Sequence, residues 1–216
     1  SQAQEMITLA REKQLFLMEG MWSRFLPKSL RVRRWIQEGR IGELHLMQAN
    51  IGWKADKTYN KRLFYPELGG GSLYDIGIYP MELLPYYADQ KITQMQFFKK
   101  DYSTGVDEIV SLNLQLERCI ANIQCSFTTK MPEDAYLYGS DGYIHIPKIH
   151  FGNRARLYDL EDRLVEDFHE GLDNGFYYEV CEVISCIEKG QTESSICPLN
   201  MTYDNAKLFD HVLRSR

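Results

Sequence analysis

Apolar positions in the opening residues recur at helical spacing, with Ala3, Met6, Ile7 and Ala10 on one face. Gln14 ends that pattern. Leu15-Phe16-Leu17-Met18 follows as a continuous apolar run without alternation, which predicts a short strand buried on both faces. A helix running straight into such a strand is the tail of an α/β unit, so these residues are expected to belong to a larger fold. Farther on, Pro27 suits a first helical turn, and SLRVRRWIQEG places Leu30, Trp35 and Ile36 ahead of Gly39, a good residue just past a helix end. Arg31, Arg33 and Arg34 predict a solvated face on this helix. Glu43 to Trp53 reads as a strand. Lys54 to Leu68 is polar and aromatic without a period, which predicts a long loop of the kind that often carries function. Gly69-Gly70-Gly71-Ser72 then opens a helix to about Tyr87, with Ser72 placed to cap it and Pro80 and Pro85 expected to bend or subdivide it.

From Thr93 the pattern alternates. Thr93 to Lys99, Glu108 to Leu116 and Cys119 to Thr128 predict strands, with Glu117-Arg118 as a hairpin turn. Ala135 to Tyr138 and Tyr143 to Ile146 flank Ser140-Asp141-Gly142, where Asp-Gly is a strong hairpin signal. Arg156 to Leu160 and Leu164 to Phe168 flank an acidic turn, and helices over Phe176 to Glu188 and Met201 to Leu213 close the chain. The expected class is α+β: one large, mainly antiparallel open sheet with helices grouped on one face. The other face then needs a cover, and a second subunit is the natural one, which predicts a homodimer through the open sheet face.

Composition narrows the function. The chain has 216 residues, 25 Lys+Arg against 30 Asp+Glu, and a net charge of -5. That acidic balance argues against nucleic acid as a partner, and no apolar run approaches a membrane span. Five cysteines, Cys119, Cys125, Cys181, Cys186 and Cys197, include no C-x-x-C pair and no His pair at ligand spacing. They predict reduced, mostly buried thiols in a cytoplasmic protein without a metal site, with Cys181 on the apolar face of a late helix.

The glycine triplet matches neither G-x-G-x-x-G nor the P-loop, lacking the third glycine of one and the lysine of the other. Within the helix that follows, Asp75 and Tyr79 are four apart and share a face. A carboxylate and a phenol there suit acid/base work, although on spacing by itself a plain Tyr–Asp hydrogen bond is the better account. The five histidines are scattered and form no legible constellation.

FLMEGMWSRFLP, the G-R-I-G before a strand, RLFYPELGGGSLYDIGIYP and GFYYEVCEVISCIEKGQTES…CPL together resemble the glucose–fructose oxidoreductase/inositol dehydrogenase (Gfo/Idh/MocA) family. Trp22, Arg24, Phe25 and Pro27 match the W-x-R-F-x-P run of its dimeric dihydrodiol dehydrogenase-like branch. The resemblance implies an N-terminal Rossmann domain carrying G-x-G-x-x-G and Glu-Lys-Pro, neither of which occurs here. It therefore implies that residues 1–20 are the remnant (last helix and strand) of the dinucleotide-binding domain and that residues 21–216 form a C-terminal substrate-binding and dimerisation domain. It also implies an NAD(P)-dependent oxidoreductase acting by hydride transfer on a sugar, polyol or dihydrodiol. NAD or NADP belongs to the full-length protein, and none is expected on this segment by itself. Tyr79 stands where most of the family has His and is implied to handle the substrate proton, with Asp75 orienting the site. Trp22, Arg62 and Phe176 are implied to line the substrate pocket. A tyrosine working near neutrality needs its pKa lowered by about three units, roughly 4 kcal/mol. The rival reading is a non-catalytic dimerisation or ligand-binding module.

Overall fold

A computed structural model describes residues 2–171 and 174–215. In chain order the elements are α1 (Gln2–Glu12), α2 (Pro27–Gln37), β1 (Leu44–Gly52), α3 (Ile78–Ala88), β2 (Ile92–Asp101), β3 (Asp107–Leu116), β4 (Ile120–Ser126), β5 (Ala135–Gly139), β6 (Gly142–Ile146), β7 (Arg154–Asp159), β8 (Leu164–His169), α4 (Phe176–Glu188) and α5 (Leu199–Arg214). They fall into two compact units, one being Pro27–Gly171 and the other the segments before and after it. The expected domain stretches 1–20 and 21–216 end on Ser1 and Arg216, which lie outside the described residues.

The Pro27–Gly171 unit is built on an eight-stranded sheet in the order β2-β3-β4-β1-β5-β6-β7-β8. Among the described residues β1 and β4 run parallel and every other neighbouring pair is antiparallel. Strand alternation sorts the side chains. Met47, Ala49 and Ile51 of β1, Leu112 and Leu114 of β3, and Ala121, Ile123 and Cys125 of β4 are all buried. On the opposite face a continuous row crosses the sheet through Asn113, Asn122, Gln48, Tyr136, His145 and Arg156. The helices α2 and α3 cover the apolar face, α3 against β1 and β4 and α2 against β7 and β8. Val32 and Trp35 of α2 and Leu83, Leu84 and Tyr87 of α3 are buried there.

Two features of this unit differ from the sequence expectation. The arginines of α2 are not simply solvated. Arg31 donates to Glu166 of β8, where Trp35 Nε1 at 3.2 Å and Arg40 at 3.3 Å converge as well, and Arg33 pairs with Asp89 at 3.0 Å. The predicted helix from the glycines to Tyr87 is divided, but not by a kink at a proline. A π turn over Leu73–Gly77 precedes α3, and Pro85 lies inside α3. Pro80 has no N–H to close an α-helical bond on Ile76, so the ladder changes upstream of it.

In the other unit α1 packs against α5, burying Ile7, Ala10, Phe209 and Val212. Leu15–Met18 form no strand. Leu17 N donates to Thr192 O at 3.1 Å, Leu15 is 60% exposed, and no ladder includes the segment among the described residues. An apolar run becomes a strand only when a neighbouring strand accepts its backbone groups. Cys181 is likewise exposed rather than buried. It lies beside a stripe of Tyr177, Val180, Ile184 and Ile187 on α4, all more than half exposed. Helical period marks the apolar side of a helix, whereas burial also needs something packed on that side.

Candidate functional site

The start of α3 is set from a distance. Asp107, first residue of β3, accepts a hydrogen bond at Oδ2 from Ser72 Oγ at 2.8 Å and another from Leu73 N at 2.7 Å. Ser72 therefore does not cap the helix with its own side chain, as its position suggested. Its hydroxyl is spent on Asp107, and the carboxylate of Asp107 takes the capping role at the end where anionic groups are favoured. Gly71 stands at φ 115, and a Cβ there would lie 2.2 Å from Asp107 Oδ1. Burial raises the Asp107 pKa, outweighing the hydrogen bonds from Ser72 and Leu73 that lower it. No signal in the sequence pointed to Asp107, because it lies 35 residues from Ser72.

This anchored turn carries Asp75 and leads into the first turn of α3, which carries Tyr79. Asp75 sits in the π turn and accepts an ion-paired hydrogen bond from Arg62, which also donates to Gly69 O at 3.3 Å. The structure thus brings Arg62 and Asp75 together. The guanidinium neutralises the carboxylate, which suits Asp75 to orienting the site more than to taking a proton. Tyr79 lies half-buried in the first turn of α3, its ring 5.1 Å from that of His150 and tilted by 39°. His150 was one of the scattered histidines in the sequence. Burial pushes its imidazole down to about 4, Lys28 and Lys148 adding to the effect and Glu133 opposing it, so the ring is neutral at pH 7. Its Nδ1 is buried without a hydrogen-bond partner among the described residues.

Trp22 and Phe176 belong to the other unit. Their rings lie 5.0 Å apart at 37°, with Trp22 half-buried and Phe176 54% exposed. Neither ring is fully buried in the core.

The glycine triplet does not fit a dinucleotide phosphate. A Cβ at Gly70 would strike the carbonyl oxygens of Arg62 and Leu63 at 2.6 Å, and Gly71 is filled by Asp107. These glycines make room for the chain's own backbone and for a buried carboxylate, which would repel a phosphate. Among the described residues no group of three or more His, Cys, Asp or Glu is disposed to hold a metal ion, and no helix is long and apolar enough to cross a membrane.

Residues 29–145 match the family model described as the GFO/IDH/MocA C-terminal domain. Among curated proteins the chain is similar to the trans-1,2-dihydrobenzene-1,2-diol dehydrogenases of Danio rerio, 33% identical over 202 residues, and Mus musculus, 31% identical over 206. These alignments take in 90% and 92% of this chain but 60% and 61% of those relatives, so the chain spans about three fifths of their length. Among solved structures it is similar to an aldose-aldose oxidoreductase from Caulobacter crescentus, complexed with glycerol, with a TM-score of 0.86 at 18% identity over 98% of this chain and 65% of that one. It also resembles a 3-ketoreductase from Actinomadura kijaniata in complex with NADP and TDP-benzene, with a TM-score of 0.82 at 19% identity over 97% and 65% of the two chains. At these identities the likeness to solved structures establishes the fold.

Proposed function

This chain belongs to the GFO/IDH/MocA C-terminal-domain family, and from that premise we propose that it is the substrate-binding domain of an NAD(P)-dependent oxidoreductase. Its substrate is a small molecule oxidised or reduced at a hydroxyl or carbonyl carbon of a sugar, a polyol or a dihydrodiol. The observation that carries this reading is the gathering of Tyr79, the Arg62–Asp75 pair and a neutral His150 around the start of α3. The nicotinamide supplies the hydride chemistry when bound. What this chain contributes is the proton at the phenol oxygen of Tyr79, given to or taken from the reacting substrate oxygen. Arg62 and Asp75 keep the approach polar.

The residues that would hold the dinucleotide phosphates are not those of the glycine triplet, so the proposal assigns them to a separate nucleotide-binding domain, of which residues 1–20 are read as the tail. The open sheet face is proposed as a homodimer interface. Five free cysteines, four of them buried, support a reducing, cytoplasmic setting.

The test is Tyr79→Phe in the protein carrying its nucleotide-binding domain, with NADP and trans-1,2-dihydrobenzene-1,2-diol as probe. Turnover is expected to fall by about 10² to 10⁴, the range of one general acid/base, with cofactor affinity unchanged. A variant that loses about 1 kcal/mol of stability and keeps full turnover would show Tyr79 to be only a hydrogen-bonding residue of the fold.

A further inference from the structure

Lys28, in the first turn of α2, is fully buried, a rare place for an ammonium. Its Nζ donates to two carbonyls of one turn, those of Lys148 and Phe151, the second at 2.5 Å. That turn follows β6 and is under strain: Lys148 stands at φ 57, a left-handed conformation that side chains other than glycine rarely adopt. Two further ties hold its flank. Ile149 N donates to Glu133 O at 2.7 Å, and Lys148 Nζ lies 3.3 Å from Glu133 Oε2. In the middle of the turn is His150, its ring 4.4 Å from Phe151 and 5.1 Å from Tyr79. A buried cation is seldom the most stabilising occupant of a core position, since an apolar side chain of the same volume avoids its desolvation. Among the described residues this one donates to a turn that touches Tyr79.

We propose that Lys28 is a positioning residue: its ammonium pins the strained turn 148–151, and the pinned turn holds the His150 ring against Tyr79 so that the phenol is presented in one orientation. The proposal rests on the reading of Tyr79 as the proton-transfer residue. The charged and titratable groups facing the turn are Lys28 from α2, Glu133 from the segment before β5, and Lys148 and His150 of the turn itself. His150 is neutral, so the ammonium meets no second charge on the imidazole. Burial lowers the Lys28 pKa to about 7, while its two carbonyl acceptors favour the charged form. The pin is therefore strongest below that value and weakens as the pH rises through it.

The experiment is Lys28→Met, which keeps the length of the side chain and removes the donor. The variant is expected to fold, to lose the nuclear Overhauser contact between the Tyr79 and His150 rings, and to exchange the amides of Ile149 and Phe151 about tenfold faster or more. Exchange at Leu112 and Ile123 in the sheet should not change. With turnover measured as for Tyr79→Phe, kcat should fall by roughly 10- to 10²-fold at constant KM, the scale of a small misplacement. Wild-type ring contact with wild-type exchange at 149–151, or an unaltered kcat where Tyr79→Phe has lost turnover, would overturn the proposal. Should Lys28→Met fail to fold, Lys28→Gln, whose shorter side chain cannot span to both carbonyls, supplies the same test. A weakening Tyr79–His150 contact is expected, and a constant one overturns the pin. The ring contact and the exchange rates require no turnover, so a fully active Tyr79→Phe would sink the catalytic reading without deciding the pin.

Discussion

Gly71 and Asp107 show how one residue's identity can be set by another far along the chain. The sequence marks the triplet as a tight turn, and it is one, yet its three glycines have different reasons to be there. At Gly69 a Cβ would meet nothing within 4 Å, whereas at Gly71 it would meet Asp107 Oδ1 at 2.2 Å. Gly71→Ala is therefore expected to lower stability by roughly 2 to 5 kcal/mol, the sum of backbone strain and overpacking. Gly69→Ala, strained only by its φ of 67, should lower it by about 1 kcal/mol. Thermal melts of the two variants side by side check this, and equal losses would show that contact with Asp107 adds nothing. Tyr79 and Asp75 were singled out by their spacing and by family resemblance. Asp107, His150 and Lys28 were not, because an isolated Asp, His or Lys has no periodicity of its own.

At the scale of elements, alternation and helical period placed the strands and helices well, since each pattern reports the geometry of its own backbone. They failed where an element depends on a neighbour, at Leu15–Met18 and at the exposed face of α4. The join between α2 and β8 is of that second kind. Burial raises the Glu166 pKa, but the hydrogen bond and charge of Arg31, with Trp35 and Arg40, outweigh it and leave the carboxyl below its ordinary value. A carboxyl with a depressed folded pKa contributes stability above its unfolded value and loses it as the pH falls through the folded one. Glu166→Gln should accordingly lower stability by about 1 to 3 kcal/mol at pH 7. The difference from wild type should shrink towards zero in melts taken below about pH 4, under the usual carboxylate range. A gap that stays constant down to acid would mean that the ion pairs contribute nothing.

At the largest scale the outstanding surface of the Pro27–Gly171 unit is the sheet face opposite α2 and α3. Tyr136, Tyr138, Tyr143 and Tyr158 line up there with rings 4.8–5.9 Å apart in neighbouring pairs, and Phe98 is 79% exposed. Tyrosines are favoured at interfaces because they offer large apolar area and a polar end together. A homodimer through this face should bury more than about 1,000 Å² in total. Sedimentation at micromolar concentration is expected to give twice the chain mass, and Tyr138→Arg to shift it towards monomer; a monomeric wild type would overturn the interface. By itself the sequence determined the α+β class, the order and extent of nearly every element, the negative net charge and the family. Class, elements and charge follow from local periodicity, turn chemistry and composition, and the family from the resemblance its motifs carry, all readable along the chain. Tertiary structure alone decided that β1 lies between β4 and β5, that Asp107 caps a helix 35 residues before it in sequence, and that Lys28 pins the turn carrying His150. Each of these is a pairing between distant residues, and a periodic pattern states which side of an element is apolar without naming the partner that will cover it.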